Sequence, residues 1–217
     1  MPEIQVSEKL ISFLYFLPIF FMSLAIHEFA HAYVANKKGD STAKDLGRLT
    51  LNPIKHLDLV GSVLMPIMAF ASGFALIGWA KPVPVNRRNL KDPLKDDALV
   101  SAAGPVSNFI LAIFFFIVFA LLDKTNPQSF ETAKNILWFG TFFNIFLFAF
   151  NLLPIPPLDG SHILYDLFPN KFTAKLLNLG LYGTIILFIF IYSPLWDYFF
   201  SIVNSILQMF LFFKSMI

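Results

Sequence analysis

Five consecutive residues, His27-Glu28-Phe29-Ala30-His31, have the types and spacing of a metal-dependent hydrolytic site. Residues four apart lie on one face of a helix, so both histidines could bind the same metal ion. Glu28 lies beside this pair, where it could take a proton from water without being a ligand. Zinc suits two histidines and one carboxylate, because this set leaves a fourth position open for water. The metal would lower the pKa of that water to about 7 and polarise a scissile carbonyl.

This pentapeptide lies in an unusually apolar chain. Of the 217 residues, 57% are hydrophobic and only 14% are charged, whereas about a quarter of the residues of a soluble domain are charged. Several stretches approach or exceed the ~20 apolar residues needed to cross a bilayer. We therefore expect an all-α polytopic membrane protein, and the net charge of +2 gives no reason to expect nucleic acid. Because the chain has no cysteine, a transition metal must be bound by histidines and carboxylates.

The apolar pattern predicts about five transmembrane helices within a single membrane-embedded domain, residues 1–217, with a catalytic core at about 10–165. The predicted spans are 10–35, 98–122, 135–153 and a helical hairpin at about 172–214, pinched at Ser193-Pro194. The pentapeptide therefore lies inside the first span, where each charged side chain costs about 2.5–3.5 kcal/mol. Metal coordination would offset that cost, whereas exposure to lipid would not. We therefore interpret the pentapeptide as a metal site rather than a chance sequence.

The third metal ligand is expected to be a carboxylate near the membrane from another segment. Asp159 is the candidate, because it follows an apolar segment within the sequence PIPPLDG at 154–160. The three prolines of this sequence stop the preceding helix, while Gly160 is expected to permit a tight turn. Irregular backbone at membrane depth is tolerated where it lines a cavity or is buried in protein. The alternative is an aspartate that only caps the following helix.

The positions of the two motifs predict the path of the intervening chain. Both lie towards the C-terminal ends of their spans, so the first and third of these spans must run in the same direction to reach one metal. The span at 98–122 supplies one crossing, so the segment at 59–79 must enter and leave on one side, as a re-entrant or hairpin element. Each loop that flanks this segment carries five Lys or Arg residues. The positive-inside rule therefore places both loops, and the site near them, on the cytoplasmic side.

Three motifs together make the sequence resemble the site-2 protease family of intramembrane zinc metalloproteases. They are HEFAH in an apolar helix, AGPVSN opening a middle helix and NLLPIPPLDG at the end of a later one. The resemblance covers about residues 20–165. The stretches NPIKHLD and GWAKPVPVN are similar to a compact prokaryotic branch, for which PDZ and CBS domains are not expected.

The resemblance implies a role for each residue of the motifs. His27, His31 and Asp159 would bind one zinc ion. Glu28 would be the catalytic base, and Asn151 would help to position the substrate or its oxyanion. The implied activity is hydrolysis of peptide bonds in or near transmembrane segments, as in regulated intramembrane proteolysis. The implied substrates are single-span membrane proteins or signal peptides. The protein would bind them within the lipid bilayer of the cell membrane.

Four further polar residues have weaker interpretations. Asn108 and Asn144 lie within predicted spans, where each is expected to hydrogen-bond a neighbouring helix rather than take part in catalysis. His56 lies in a basic loop and is interpreted as a solvated or capping residue rather than a ligand. His162 follows the Asp-Gly pair and could reach the site, although a structural role is favoured.

Two other classes of function remain open at this stage. The first is a transporter or channel, in which intramembrane His, Glu and Asp form an ion path. Such a relay needs titratable groups spread through several helices, whereas these groups gather at two helix ends. The second is an inactive relative that binds a helix without cutting it, and the intact Glu28 argues against it.

Overall fold

A computed structural model describes residues 2–72, 78–125 and 128–215. Within these ranges every regular element is a helix, which confirms the predicted all-α class. The α-helices are α1 (Pro2–Lys38), α2 (Thr42–Asp45), α3 (Met65–Ser72), α4 (Lys95–Thr125), α5 (Glu131–Asn151), α6 (Asp159–Leu167), α7 (Lys171–Leu177), α8 (Leu181–Ile191) and α9 (Leu195–Lys214). Short 3-10 turns lie at Pro53–His56 and Arg87–Asn89, and a π-helical turn lies at Leu59–Leu64.

Four of the described helices are long and apolar enough to cross a membrane: α1 from Phe13 onward, α4, α5 and α9. Helices α7 and α8 are bent by 85° relative to each other and together make a fifth candidate span. The structure therefore confirms a polytopic membrane protein with four or five spans. A break at Ser193-Pro194 separates α8 from α9, as the sequence predicts.

Helix α4 is the central helix, since it packs against α1, α5 and α6. Where α1 meets α5, Phe16 and Phe20 pack against Phe143. Where α4 meets α5, the ring of Phe115 lies against Gly140, where a methyl group would clash. In lipid, helix contacts depend on van der Waals packing and on small residues that allow close approach. Helix α5 therefore packs against both α1 and α4, which also pack directly against each other.

The two ends of the interrupted segment at 59–79 lie close together. It begins as the π-helical turn Leu59–Leu64 and continues directly into α3. At about 1.5 Å per residue these elements extend ~20 Å, less than the ~30 Å of a hydrocarbon core. The two ends lie side by side, because the Trp79 N–H donates to the Gly61 carbonyl at 3.1 Å and the Lys81 N–H to the His56 carbonyl at 2.9 Å. This closeness agrees with the re-entrant prediction for the described part of the segment. Residues 73–77 lie outside the described residues, and the membrane side of each end stays a prediction.

The close approach of the two ends requires a glycine. A Cβ atom at Gly61 would lie 2.4 Å from the indole ring of Trp79. Ser62 adds a further link, because its Oγ donates to the Trp79 carbonyl at 2.7 Å. The chain then continues as an extended run, and its Val83 packs against Ala32 of α1. The segment at 59–79 therefore places this run against the half of α1 that carries the His-Glu-x-x-His motif.

Candidate metal centre

The structure brings the three predicted ligands together. The Nε2 atoms of His27 and His31, one turn apart on α1, lie 3.0 Å from each other. Asp159 approaches both, with Oδ2 3.2 Å from His27 Nε2 and Oδ1 3.5 Å from His31 Nε2. One ligand atom from each residue fits within a group no more than 4.8 Å across. This spacing and this donor set suit a single zinc ion, with two imidazoles and a carboxylate as ligands.

Asp159 reaches this position as the first residue of α6, after a proline-rich connection from α5. Leu158 occupies the N-cap position, and the structure shows no side-chain capping bond there, so capping does not explain the aspartate. The buried Oδ2 of Asp159 has no hydrogen-bond partner among the described residues. A buried carboxylate oxygen without a donor is costly, and a cation bound between Asp159 and the histidines would remove that cost.

The predicted tight turn at Gly160 is wrong. Gly160 is the second residue of α6 and is not among the residues with positive φ. A Cβ atom there would instead lie 2.3 Å from the Leu152 carbonyl oxygen and 2.4 Å from that of Leu153. The glycine is therefore required because the start of α6 packs directly on the end of α5. This contact fixes the height at which Asp159 meets the histidines.

Hydrogen bonds on the far side of each imidazole leave its Nε2 free to bind metal. The Nδ1 atom of His31 lies 2.7 Å from the Val100 carbonyl oxygen. The Nδ1 atom of His27 lies 2.6 Å from Oδ1 of Asn108. Because a carbonyl oxygen can only accept, each Nδ1 carries the proton and each Nε2 keeps its lone pair. Metal-binding histidines are commonly oriented in this way by an acceptor on the other nitrogen.

A series of hydrogen bonds between buried side chains determines that Asn108 presents its Oδ1 atom to His27. Nδ2 of Asn144 donates to the Gly140 carbonyl at 2.9 Å and to Ser23 Oγ at 2.9 Å. Its Oδ1 must then accept from Nδ2 of Asn108, at 2.9 Å, which leaves Oδ1 of Asn108 facing His27. The side chains of Asn108, Asn144 and Ser23 are fully buried. Both asparagines bridge helices as predicted, but the sequence did not reveal that this series of hydrogen bonds ends at His27, a predicted metal ligand.

The backbone of α4 passes directly over the ligand atoms at Gly104. A Cβ atom there would lie 2.3 Å from Nε2 of His31 and 2.6 Å from Nε2 of His27. The absence of a side chain therefore leaves the room that a metal ion needs. Pro105 follows and removes one N–H from the hydrogen-bond ladder of α4. This local weakening lies beside the turn whose Val100 carbonyl accepts from His31.

Glu28 lies next to the ligands but does not belong to the group that could hold the metal. Its side chain is buried, and Oε2 accepts the Val83 N–H at 2.7 Å. Val83 lies in the Lys-Pro-Val-Pro-Val run, which is extended as the prolines predict. The bond holds one carboxylate oxygen, and the other has no hydrogen-bond partner among the described residues.

Comparison with known proteins agrees with this geometry. The sequence profile of peptidase family M50 matches residues 15–135 and 124–191. The chain belongs to peptidase family M50. The resemblance to site-2 proteases is therefore confirmed, and the protein is a membrane zinc metalloprotease.

Relatives of this M50 peptidase occur in bacteria and archaea. "Putative zinc metalloprotease YwhC" of Bacillus subtilis is 45% identical over 183 residues, which cover 82% of this chain and 80% of YwhC. "Putative zinc metalloprotease Rip2" of Mycolicibacterium smegmatis is 34% identical over 144 residues, 64% of this chain and 51% of Rip2. "Zinc metalloprotease MJ0392" of Methanocaldococcus jannaschii is 27% identical over 154 residues, 71% of this chain and 34% of its own length. No solved structure matches the chain significantly.

In this M50 peptidase, ion pairs hold the C-terminal end of α6 against its neighbours. Arg87 pairs with Asp166 and also with Asp97, whose Oδ2 lies 2.6 Å from Nη2 of Arg87. Burial and the neighbouring Asp97 raise the pKa of Asp166 to about 7, although Arg87 opposes the shift. His162 lies 3.5 Å from Asp97 and outside the ligand group, which agrees with the structural role favoured from the sequence.

Two other sequence interpretations have different outcomes. His56 is buried rather than solvated, and its Nε2 lies 2.8 Å from the Thr50 carbonyl oxygen, so the solvated interpretation is wrong. Asn151 ends α5, and its Nδ2 donates to the Leu147 carbonyl of the same helix at 3.0 Å. The structure records no bond from Asn151 to the ligand group, so its role with substrate stays a prediction.

The contact between Asn108 and His27 predicts an effect on zinc affinity. Asn108→Leu keeps the branching at Cγ, with a somewhat larger side chain, but leaves Nδ1 of His27 without its acceptor, so we expect zinc to bind about 10- to 100-fold more weakly. Thr141→Val is the control, because Thr141 is also fully buried but bonds only within α5, to the Leu137 carbonyl. Competition against a zinc chelator measures both affinities. Wild-type affinity in Asn108→Leu would show that the amide does not orient His27.

Proposed function

We propose that this protein hydrolyses peptide bonds in or near the transmembrane segments of single-span membrane proteins or signal peptides. The proposed site is one zinc ion held by His27, His31 and Asp159, with Glu28 as the catalytic base. The single observation that supports it best is the ligand group within 4.8 Å, whose two histidines lie on a helix long enough to span a membrane. Three ionisable side chains at such a position are expensive unless they serve a site.

Each residue has a distinct task in this proposal. Bound zinc would supply Lewis-acid polarisation of the scissile carbonyl and a lowered pKa for the attacking water. Glu28 takes a proton from that water through its free oxygen and delivers it to the leaving nitrogen. Asn108 and the Val100 carbonyl hold the two imidazoles in the orientation that binds metal. Asn151, at the end of α5, is proposed to hydrogen-bond the substrate backbone or the developing oxyanion.

A reconstituted assay tests the proposed function. The purified peptidase is placed in proteoliposomes with a tagged single-span substrate and assayed before and after zinc is removed with a chelator. We expect cleavage that is lost on chelation and restored by zinc. A transporter would instead carry ions across the same vesicles without cutting the substrate. An inactive relative would bind the substrate with zinc present and release no fragment.

The proposed location is the cytoplasmic membrane, with the site nearer the cytoplasm. Support comes from the re-entrant segment, whose two ends lie side by side, and from the basic loops that flank it. Because the chain has no cysteine, single cysteines report sidedness without background. We expect Lys44→Cys and Arg88→Cys to be protected in intact cells from an impermeant thiol reagent, and Thr125→Cys to be labelled. Labelling of 44 and 88 from opposite sides would contradict this arrangement.

A further inference from the structure

The extended run at 81–85 lies beside the site. Its Val83 N–H binds Glu28, and the run supplies none of the predicted metal ligands. We propose that Arg48 is a positioning residue for proton transfer, acting on Glu28 through the backbone of this run. The inference rests on the proposed function, because it assigns Arg48 a part in the same peptide hydrolysis. Neither the motifs nor the family resemblance drew attention to Arg48.

The sequence of the run leaves one backbone donor at its centre. Pro82 and Pro84 have no N–H, so within residues 82–84 Val83 supplies the single N–H group. Each proline also restricts the residue before it to extended conformations. The Val83 N–H is thereby aimed at Glu28, whose Oε2 accepts it at 2.7 Å. Rotation of this peptide group would move the bound carboxylate oxygen and, with it, the free oxygen that takes the proton.

Arg48 binds the two carbonyl groups that precede this N–H, and the second of them belongs to the same peptide group. Its Nη2 donates to the Lys81 carbonyl at 2.6 Å and to the Pro82 carbonyl at 3.4 Å. In a trans peptide the carbonyl of one residue and the N–H of the next point in opposite directions. The Pro82–Val83 peptide therefore lies between the guanidinium of Arg48 and the carboxylate of Glu28. A cationic donor on its oxygen also polarises the group and strengthens its N–H as a donor.

The burial of Arg48 favours this task over a general surface role. Arg48 is 8% exposed, and the described partners of its guanidinium are both backbone carbonyls. Its Nε atom is buried without a partner among the described residues. Burying a charge without a carboxylate partner is costly, so stability alone gives little reason for an arginine here. Gly47, with a φ of 65°, makes the turn after α2 that directs Arg48 inward.

The matched variant pair is Arg48→Met and Arg48→Lys. Arg48→Met keeps the apolar stem and removes the donors, so we expect kcat to fall about 10- to 100-fold, part of what acid–base catalysis supplies. We expect KM to change less than about 3-fold and bound zinc to stay at the wild-type level, because no hydrogen bond among the described residues joins a metal ligand to the run. Arg48→Lys retains a cationic donor for the Lys81 carbonyl and should recover part of kcat.

A hydrogen bond just beyond the other end of the run provides a control. It distinguishes positioning of Glu28 by Arg48 from simple anchoring of the run. Oδ2 of Asp40 accepts the Asn86 N–H at 2.7 Å and does not contact the Pro82–Val83 peptide. Asp40→Asn should therefore leave kcat within about 3-fold of wild type, even where it lowers thermal stability as much as Arg48→Met. Equal losses of kcat in Asp40→Asn and Arg48→Met would overturn the proposal, because anchoring alone would then explain both.

The second comparison is between the single variant Glu28→Asp and the double variant that also carries Arg48→Met. The shorter carboxylate cannot keep both the Val83 bond and its place beside the water, so the added substitution should cost less than about 3-fold in kcat. A full additional loss would show that Arg48 acts elsewhere. These outcomes are distinct from failure of the proposed function, in which the wild-type peptidase itself would cut no substrate.

Discussion

Glu28→Gln is expected to lower peptide cleavage by about 10²- to 10⁴-fold, the range that a positioned acid–base group supplies, while zinc stays bound. The substitution removes the group that accepts the proton but keeps an oxygen that can accept the Val83 N–H, so the local structure should persist. Because Glu28 does not belong to the ligand group, metal content should be unchanged. Zinc per chain by elemental analysis and the rate of fragment release from a single-span substrate measure the two effects separately.

Glu131→Gln is the matched control for this substitution. Glu131 begins α5, far along the chain from the motif, and its side chain is exposed and paired with Lys134. Lys134 is buried but keeps Asp123 as a second partner at 3.4 Å, so the amide variant should stay folded and cleave at the wild-type rate. Substantial turnover by purified Glu28→Gln, at zinc contents equal to wild type, would end the assignment of Glu28 as the base.

Gly104→Ala is expected to abolish zinc binding without unfolding the protein. The added methyl group would lie 2.3 Å from Nε2 of His31 and 2.6 Å from Nε2 of His27, in the space that the ion needs. Alanine has a higher helix propensity than glycine, by about 1 kcal/mol, so the α4 helix itself gains from the change. Zinc content should fall to background and proteolysis should disappear with it, which metal analysis and the cleavage assay measure.

Gly140→Ala provides the same chemical change at another helix contact. Its methyl group would meet the ring of Phe115 at 2.9 Å rather than a metal ligand. We therefore expect lower thermal stability from overpacking, but zinc content equal to that of wild type. If Gly104→Ala retained zinc, the space above the two histidines would not be the metal position.

The ligand set was predictable from the sequence because each part of it is local. The i, i+4 spacing places His27 and His31 on one helix face whatever surrounds them. The proline run before Asp159 marks the end of a span, and the parity of the crossings then requires a re-entrant segment. The hydrogen bond from the Trp79 N–H to the Gly61 carbonyl agrees with this requirement, because it holds the two ends of the segment together.

The supporting contacts were not predictable, because they depend on how separate elements pack. Asn108 reaches His27 across 81 positions of the chain, and Val83 reaches Glu28 across 55. Asn108 ends the AGPVSN motif and Val83 lies in the proline run, but neither pattern shows which residue of another element each one contacts. Gly160 shows the same limit, since its sequence suits a tight turn and its actual requirement is contact with the end of α5. His56 lies in a basic loop, where the sequence indicates a solvated or capping residue, and the structure buries it against the Thr50 carbonyl.

X-ray absorption at the zinc edge, on purified protein of known concentration, tests most directly that His27, His31 and Asp159 hold one zinc ion. The account predicts one zinc per chain with two imidazole nitrogens at about 2.0–2.1 Å, carboxylate and water oxygens completing the first shell, and no sulfur. It also predicts that His27→Ala, His31→Ala and Asp159→Ala each lose most of the metal. Full zinc occupancy with an unchanged spectrum in any of these three variants would contradict the site.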